Sequence, residues 1–89
     1  MATRTVAIAS GIGLHARPAS LFVQAVAATG LPIKVGRVGG PAVDARSILM
    51  VMGLGVKHNE EVELTAEGDG ADAALDSLVE LLSRDLDAE

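Results

Sequence analysis

The chain of 89 residues contains no cysteine, so neither disulfide bonds nor thiolate metal ligands can support its fold. Its one aromatic residue is Phe22, which excludes a row of aromatic side chains on which nucleic-acid bases could stack. The longest uncharged stretch, residues 18–33, has 16 residues, fewer than the roughly 18 needed to cross a bilayer. The N-terminus shows no pattern of an export signal. We therefore expect a cytoplasmic protein with no nucleic-acid partner and no membrane insertion.

The apolar content of the chain suffices for one small core. Apolar residues make up 49% of the sequence and charged residues 21%, which is the balance of a globular protein. A chain of this length cannot build two separate cores. We therefore predict that residues 1–89 form a single domain.

Charge is distributed unevenly along the chain, although the net charge is only −5. Residues 1–59 contain six basic residues against Asp44 alone, whereas residues 60–89 contain eleven acidic residues against Arg84 alone. Two explanations are open. The charges are simply solvated, or the first part of the chain forms a basic face that meets anionic groups, with an acidic region behind it.

The hydrophobic pattern alternates between the periods of strands and helices. Period-two segments predict strands, helical stripes predict helices, and glycine and proline separate them. The predicted strands cover residues 3–9, 33–38, 42–44 and 61–67, and the helices cover residues 16–29, 48–52 and 71–86. The order strand, helix, strand, strand, helix, strand, helix (βαββαβα) indicates an α+β fold with an antiparallel sheet and helices on one face.

His15 is the residue most able to carry chemistry. It lies at the start of the first predicted helix, whose N-terminus (Ala16, Arg17 and Pro18) offers free backbone N–H groups to an anion. Arg17 adds a planar, permanently charged group suited to phosphoryl oxygens, and imidazole is a competent nucleophile near neutral pH. These features suggest a group that accepts a phosphoryl. A plain cap or a solvent-facing histidine explains them as well.

Metal and cofactor sites are not expected. His15 and His58 are the only histidines, and no helix-spaced pair of ligands accompanies them. The G-x-G pieces at Gly11 and Gly53 do not extend to a dinucleotide-binding or P-loop pattern. We therefore predict no metal and no cofactor.

Two segments carry a resemblance to a known family. Residues 13–20, GLHARPAS, resemble the active-site signature of HPr, the histidine-containing phosphocarrier of the bacterial phosphoenolpyruvate-dependent sugar phosphotransferase system. Residues 46–55, RSILMVMGLG, resemble the regulatory-serine segment of the same family at the family's spacing. The resemblance implies an open-faced sandwich of four antiparallel strands with three helices on one side.

The resemblance also implies a phosphoryl relay. In it, His15 accepts a phosphoryl group from enzyme I and donates it to a sugar-specific enzyme IIA, while Arg17 and the helix N-terminus hold the phosphoryl. Such a carrier is a monomer that turns over no small molecule alone, so whether it counts as an enzyme is left open. The alternatives are an HPr-like regulatory paralogue and a small non-catalytic α+β binding module.

The resemblance implies two further roles. Ser47 matches a serine that a dedicated kinase phosphorylates in those bacteria that have one, but an ordinary helix N-cap explains this residue as well. The resemblance makes Leu21, Ile48 and Met52 the candidates for the surface that contacts partner proteins. Their alternative role is in the core, because hydrophobic stripes usually face inward.

Overall fold

The computed structural model describes residues 2–9, 11, 13 and 16–84, without the side chain of Ala16. Seven elements follow one another in the predicted order. The strands are β1 (Ala2–Ala7), β2 (Ile33–Arg37), β3 (Val43–Asp44) and β4 (Glu61–Ala66). The helices are α1 (Ala16–Thr29), α2 (Ile48–Gly53) and α3 (Ala71–Leu82). In the described part of the chain, no helix is long and apolar enough to cross a membrane.

The four strands form one sheet in the order β1-β4-β2-β3, and every neighbouring pair is antiparallel. Because β4 lies between β1 and β2, these two strands run in the same direction, and α1 connects them. The register places Ala7 opposite Glu61 and Arg37 opposite Val62. The C-terminal ends of β1 and β2 and the N-terminal end of β4 therefore lie at one end of the sheet.

One face of the sheet carries the core. In β4 the side chains of Val62, Leu64 and Ala66 are buried, whereas Glu61 and Glu63 are exposed. The strict alternation of apolar and polar residues over 61–67 predicts a strand with one face in solvent, and the burial pattern confirms it. The buried residues of all three helices join the same cluster as those of the sheet, including Ala19, Phe22, Val26, Val51, Leu75, Leu78 and Leu82. The helices thus cover one face of an open sheet, as the α+β prediction requires.

The ends of several elements differ from the sequence prediction. Strand β1 ends at Ala7, although Ile8 remains buried and its N–H donates to the carbonyl of Glu60 at 3.0 Å. Strand β2 ends at Arg37 because the carbonyl of Arg37 accepts from the N–H of Gly40 in a turn. Helix α3 ends at Leu82, and the hydroxyl of Ser83 donates to a carbonyl of the last turn. The predicted extension to Leu86 lies outside the described residues.

The acidic helix α3 is attached to the edge strand β1 through Arg4. The Arg4 guanidinium contacts Asp76 through Nε at 2.9 Å and Asp72 through Nη2 at 3.0 Å. Asp72 and Asp76 are four residues apart and therefore share one helix face. Two acidic residues of the C-terminal part of the chain thus form ion pairs with a basic residue of the N-terminal part.

Candidate functional site

The candidate site lies at the end of the sheet where β1 and β2 finish and β4 begins. Helix α1 starts at this end, because the chain enters it after leaving β1. Residues 54–60, here called the 54–60 segment, connect α2 to β4 at the same end. Helices α1 and α2 also pack against each other. The topology therefore brings together the two segments that the sequence analysis singled out.

Helix α1 begins at Ala16, directly after His15 in the chain. His15 itself lies outside the described residues. Arg17 is exposed in the first turn and Pro18 is buried there, where a missing N–H costs no intrahelical hydrogen bond. The helix N-terminus that the sequence analysis predicted for residues 16–18 is therefore present, with its cationic side chain at the surface.

Gly13 packs against the backbone of the 54–60 segment. It is buried and has φ +73°, in the left-handed region that side chains rarely adopt. A Cβ at this position would overlap the carbonyl oxygen of Val56 and lie 2.7 Å from the Cα of Lys57. Only glycine allows this approach, so Gly13 fixes the path of the chain shortly before α1.

A turn and a serine cap start helix α2. The Asp44 carboxylate accepts from the N–H of Arg46 at 2.9 Å, and this bond lowers the pKa of Asp44 below its ordinary value. Ser47 is the N-cap, and its hydroxyl accepts from the N–H of Met50 at 3.4 Å. The predicted cap is thus confirmed. Phosphorylation of Ser47 stays a prediction.

Helix α2 is apolar, yet it buries only one of its large side chains fully. Val51 is buried in the core, whereas the other large side chains of the helix lie at the surface. The exposed fractions are 39% for Ile48, 81% for Leu49, 50% for Met50 and 37% for Met52. Leu21 on α1 is half-buried. Ile48 and Met52, whose alternative role was in the core, therefore lie at the surface.

Arg37 and Glu60 form an ion pair beside α2 that the sequence analysis did not single out. Arg37 Nη1 lies 2.5 Å from Glu60 Oε2, and Nη2 donates to Oε1 at 3.1 Å. The same guanidinium donates to the carbonyls of Leu54 and Gly55, at 3.1 and 2.7 Å. No sequence periodicity connects these positions, so only the three-dimensional fold reveals the pair.

The carboxylate of this pair is held in its charged form. Hydrogen bonds from Arg37 lower the pKa of Glu60 below its ordinary value of 4.5, and the N–H of Lys57 lowers this pKa further. A lowered pKa in the folded state means that the pair stabilises the fold above pH values near 4.5. This stability is lost as the pH falls through the folded-state pKa of Glu60.

A groove of about 470 Å³ lies at the other end of the sheet, away from the start of α1. Its lining includes Lys34, Asp44, Thr65 and Glu67. Among the described residues, no group of three histidine, aspartate or glutamate side chains is placed to hold a metal ion. Arg46 also lines this groove, whereas Arg17, Leu21, Ile48 and Met52 do not.

The described geometry defines a small open-faced α+β domain with an exposed helix N-terminus next to an apolar helix. Residues 2–84 match the family model described as "PTS HPr component phosphorylation site". The phosphocarrier protein HPr of Streptomyces coelicolor is 45% identical over 87 residues, which cover 98% of this chain and 94% of the relative. That of Haloferax volcanii is 49% identical over 81 residues, which cover 90% and 91%.

A solved HPr structure has the same fold as this chain. The crystal structure of HPr-C-His from Thermoanaerobacter tengcongensis superposes with a TM-score of 0.85 at 41% identity, covering 92% of this chain and 91% of the other. The chain belongs to the HPr family. It is a phosphoryl carrier of the phosphotransferase system, as the resemblance implied.

Proposed function

We propose that this chain carries a phosphoryl group on His15, accepting it from phosphorylated enzyme I and donating it to sugar-specific enzyme IIA proteins. The observation that carries the proposal is the start of α1 at Ala16, directly after His15, with Arg17 exposed in the first turn. The proposed carrier acts as one monomeric domain in the cytoplasm. It uses no cofactor or metal and does not turn over a small molecule alone.

The transfer exchanges one nitrogen–phosphorus bond for another. The neutral imidazole of His15 attacks the phosphorus of the enzyme I phosphohistidine, and the nitrogen–phosphorus bond to enzyme I breaks. The ring proton that His15 gives up is balanced by one that the departing imidazole of enzyme I takes up. Donation to a histidine of enzyme IIA repeats the exchange. Because the same type of bond is broken and formed, both steps run in either direction, as a relay requires.

Arg17 and the first turn of α1 stabilise the phosphoryl in this proposal. The N–H groups of the first turn have no intrahelical acceptor and, with the helix dipole, favour an anion. The guanidinium of Arg17 presents paired donors that match phosphoryl oxygens. Ala16 and Pro18 contribute the helix backbone itself, because proline fixes φ in the first turn.

The proposed docking surface consists of Leu21, Ile48 and Met52. Helices α1 and α2 pack against each other, so these side chains belong to neighbouring elements. Ile48 and Met52 are exposed, and methionine adapts to the shapes of different partners. A carrier that meets enzyme I and several enzyme IIA proteins needs such a surface.

The test is incubation with phosphoenolpyruvate and enzyme I, followed by intact-protein mass spectrometry. A phosphohistidine carrier gains the mass of one phosphoryl group, and acid treatment removes this mass. No gain under conditions in which enzyme I is itself phosphorylated would exclude the relay and would favour the non-catalytic binding module.

Met52→Asp tests the docking surface. The substitution places a charge in an apolar contact, so we expect at least tenfold weaker binding to enzyme I, equal to about 1.4 kcal/mol. Met52 is partly exposed, so the melting temperature should change by less than about 3 °C. Val38→Asp is the matched control, because Val38 is an exposed apolar residue of the β2–β3 turn. Unfolding of Met52→Asp, or equal binding by both variants, would remove Met52 from the docking surface.

Substitutions of Ser47 separate capping from docking. Ser47→Ala loses the cap and should lower the free energy of unfolding by about 1 kcal/mol while leaving transfer nearly normal. Aspartate caps as well as serine, so Ser47→Asp should keep the stability. Its charge lies beside the docking surface and should slow transfer from enzyme I, with partial relief by added salt. Melting temperature and initial transfer rate are measured for both variants. If Ser47→Asp transfers as fast as the parent protein, Ser47 is only a cap.

A further inference from the structure

The Arg37–Glu60 pair, here called the clasp, fixes a segment that the proposed relay depends on. The Arg37 guanidinium contacts Leu54, Gly55 and Glu60, and Oε1 of Glu60 also accepts from the N–H of Lys57 at 2.8 Å. The two side chains thus contact the 54–60 segment near its start, in its middle and at its end. Bidentate arginine–carboxylate contacts restrict geometry more tightly than a simple ion pair does.

The 54–60 segment is in turn the support of Gly13. The backbone of Val56 and Lys57 leaves no room for a side chain at position 13. The N–H of Asn59 donates to the carbonyl of Ile8 at 2.8 Å, so the segment also contacts the chain directly after β1. A displacement of this segment therefore reaches the path by which the chain leaves β1 and enters α1.

The clasp also joins this path to α2. Leu54 and Gly55 directly follow α2, and their carbonyls accept from Arg37. One guanidinium therefore fixes the end of the helix that carries the proposed docking residues and, through Glu60, the support of Gly13. Transfer between two proteins depends on the position of the reacting group relative to the docked surface, and small displacements cost large factors in rate.

We propose that Arg37 and Glu60 are positioning residues for phosphoryl transfer, because they hold the 54–60 segment against Gly13 and against the end of α2. This inference rests on the function proposed above. The clasp is partly exposed, with 41% of the Arg37 side chain and 36% of the Glu60 side chain accessible. Exposed ion pairs contribute little to stability, so the variants should fold and the positioning effect can be measured separately.

The test compares Glu60→Gln and Arg37→Gln with Arg4→Gln. Arg4 also contacts two carboxylate oxygens and is similarly exposed, but its partners Asp72 and Asp76 lie on α3. We expect the maximal rate of transfer from phosphorylated enzyme I to fall about tenfold in both clasp variants. The KM for the carrier should change less than about threefold, because the docking side chains are retained. Arg4→Gln should remain within about twofold of the parent protein.

The direction of the two effects distinguishes positioning from long-range electrostatics. Glu60→Gln removes a negative charge and Arg37→Gln removes a positive one, so a purely electrostatic role would change the rate in opposite directions. Positioning lowers both rates, and the double variant should be no slower than the slower single variant. The amide signals of Gly13 and Lys57 in NMR spectra should shift in Glu60→Gln and stay in place in Arg4→Gln.

Each contrary result has a separate meaning. Clasp variants that transfer as fast as Arg4→Gln, or that change the rate in opposite directions, overturn the positioning role while the proposed function stands. Unchanged amide signals of Gly13 in Glu60→Gln overturn it as well, independently of any transfer assay. A parent protein that enzyme I does not phosphorylate contradicts the proposed function, and the positioning role fails with it.

Discussion

His15→Ala abolishes phosphorylation of this chain by enzyme I, if the proposed relay is correct. Alanine has no nucleophilic nitrogen, so the phosphoryl group has no acceptor and neither Arg17 nor the helix N-terminus can replace it. The loss should be complete, because those groups only stabilise a phosphoryl that is already bound. The measurement is the mass of the intact variant after incubation with phosphoenolpyruvate and enzyme I.

His58→Ala is the matched control for this experiment. His58 is the second of the two histidines, and it is exposed in the 54–60 segment. Both variants lose one imidazole, but only His15 lies directly before α1. We expect normal phosphorylation of His58→Ala. Equal phosphorylation of the two variants would contradict the assignment of the phosphoryl group to His15.

Gly13→Ala should have the largest effect on stability. The new methyl group overlaps the backbone of Val56 and Lys57, and the residue must adopt φ +73°. Left-handed strain and overpacking together should cost about 2–4 kcal/mol, which lowers the melting temperature by roughly 10–25 °C in a domain of this size. Displacement of the 54–60 segment should also slow phosphoryl transfer about tenfold or more.

Gly30→Ala separates backbone strain from steric overlap. Gly30 has φ +71°, almost the value at Gly13, but nothing lies within 4 Å of an added Cβ. This variant should therefore lose only about 1–2 kcal/mol from the left-handed conformation, with normal transfer. Thermal unfolding and transfer rates of both variants are compared. Equal losses would show that the contact of Gly13 with the 54–60 segment contributes nothing.

The elements that follow from local signals could be predicted from the sequence. The bounds of α1 are confirmed, because Pro18 suits a first turn and Gly30 stops the helix. Ser47 is confirmed as a cap, and the alternation in β4 is confirmed by burial. Each of these features depends on neighbours a few residues away. Local patterns therefore predicted the fold class and the position of the helix that follows His15.

The contacts that support the candidate site could not be predicted in this way. Arg37 contacts residues 17, 18 and 23 positions further along the chain. An arginine at the end of a strand gives no sign of such partners. The sequence marks Gly13 only as part of a signature, because its contact with Val56 joins positions 43 residues apart in the chain. Long-range packing thus decides which residues support the site, whereas local pattern identifies the residues proposed to carry the chemistry.

The position of the phosphoryl group in the phosphorylated protein tests the proposed relay most directly. The chain is labelled with phosphoenolpyruvate and enzyme I, digested without exposure to acid, and mapped by peptide mass spectrometry. We expect one phosphoryl group per chain, attached to His15, that passes to enzyme IIA when enzyme IIA is added. A phosphoryl group on His58 or Ser47, with His15 unmodified, would contradict the proposed relay.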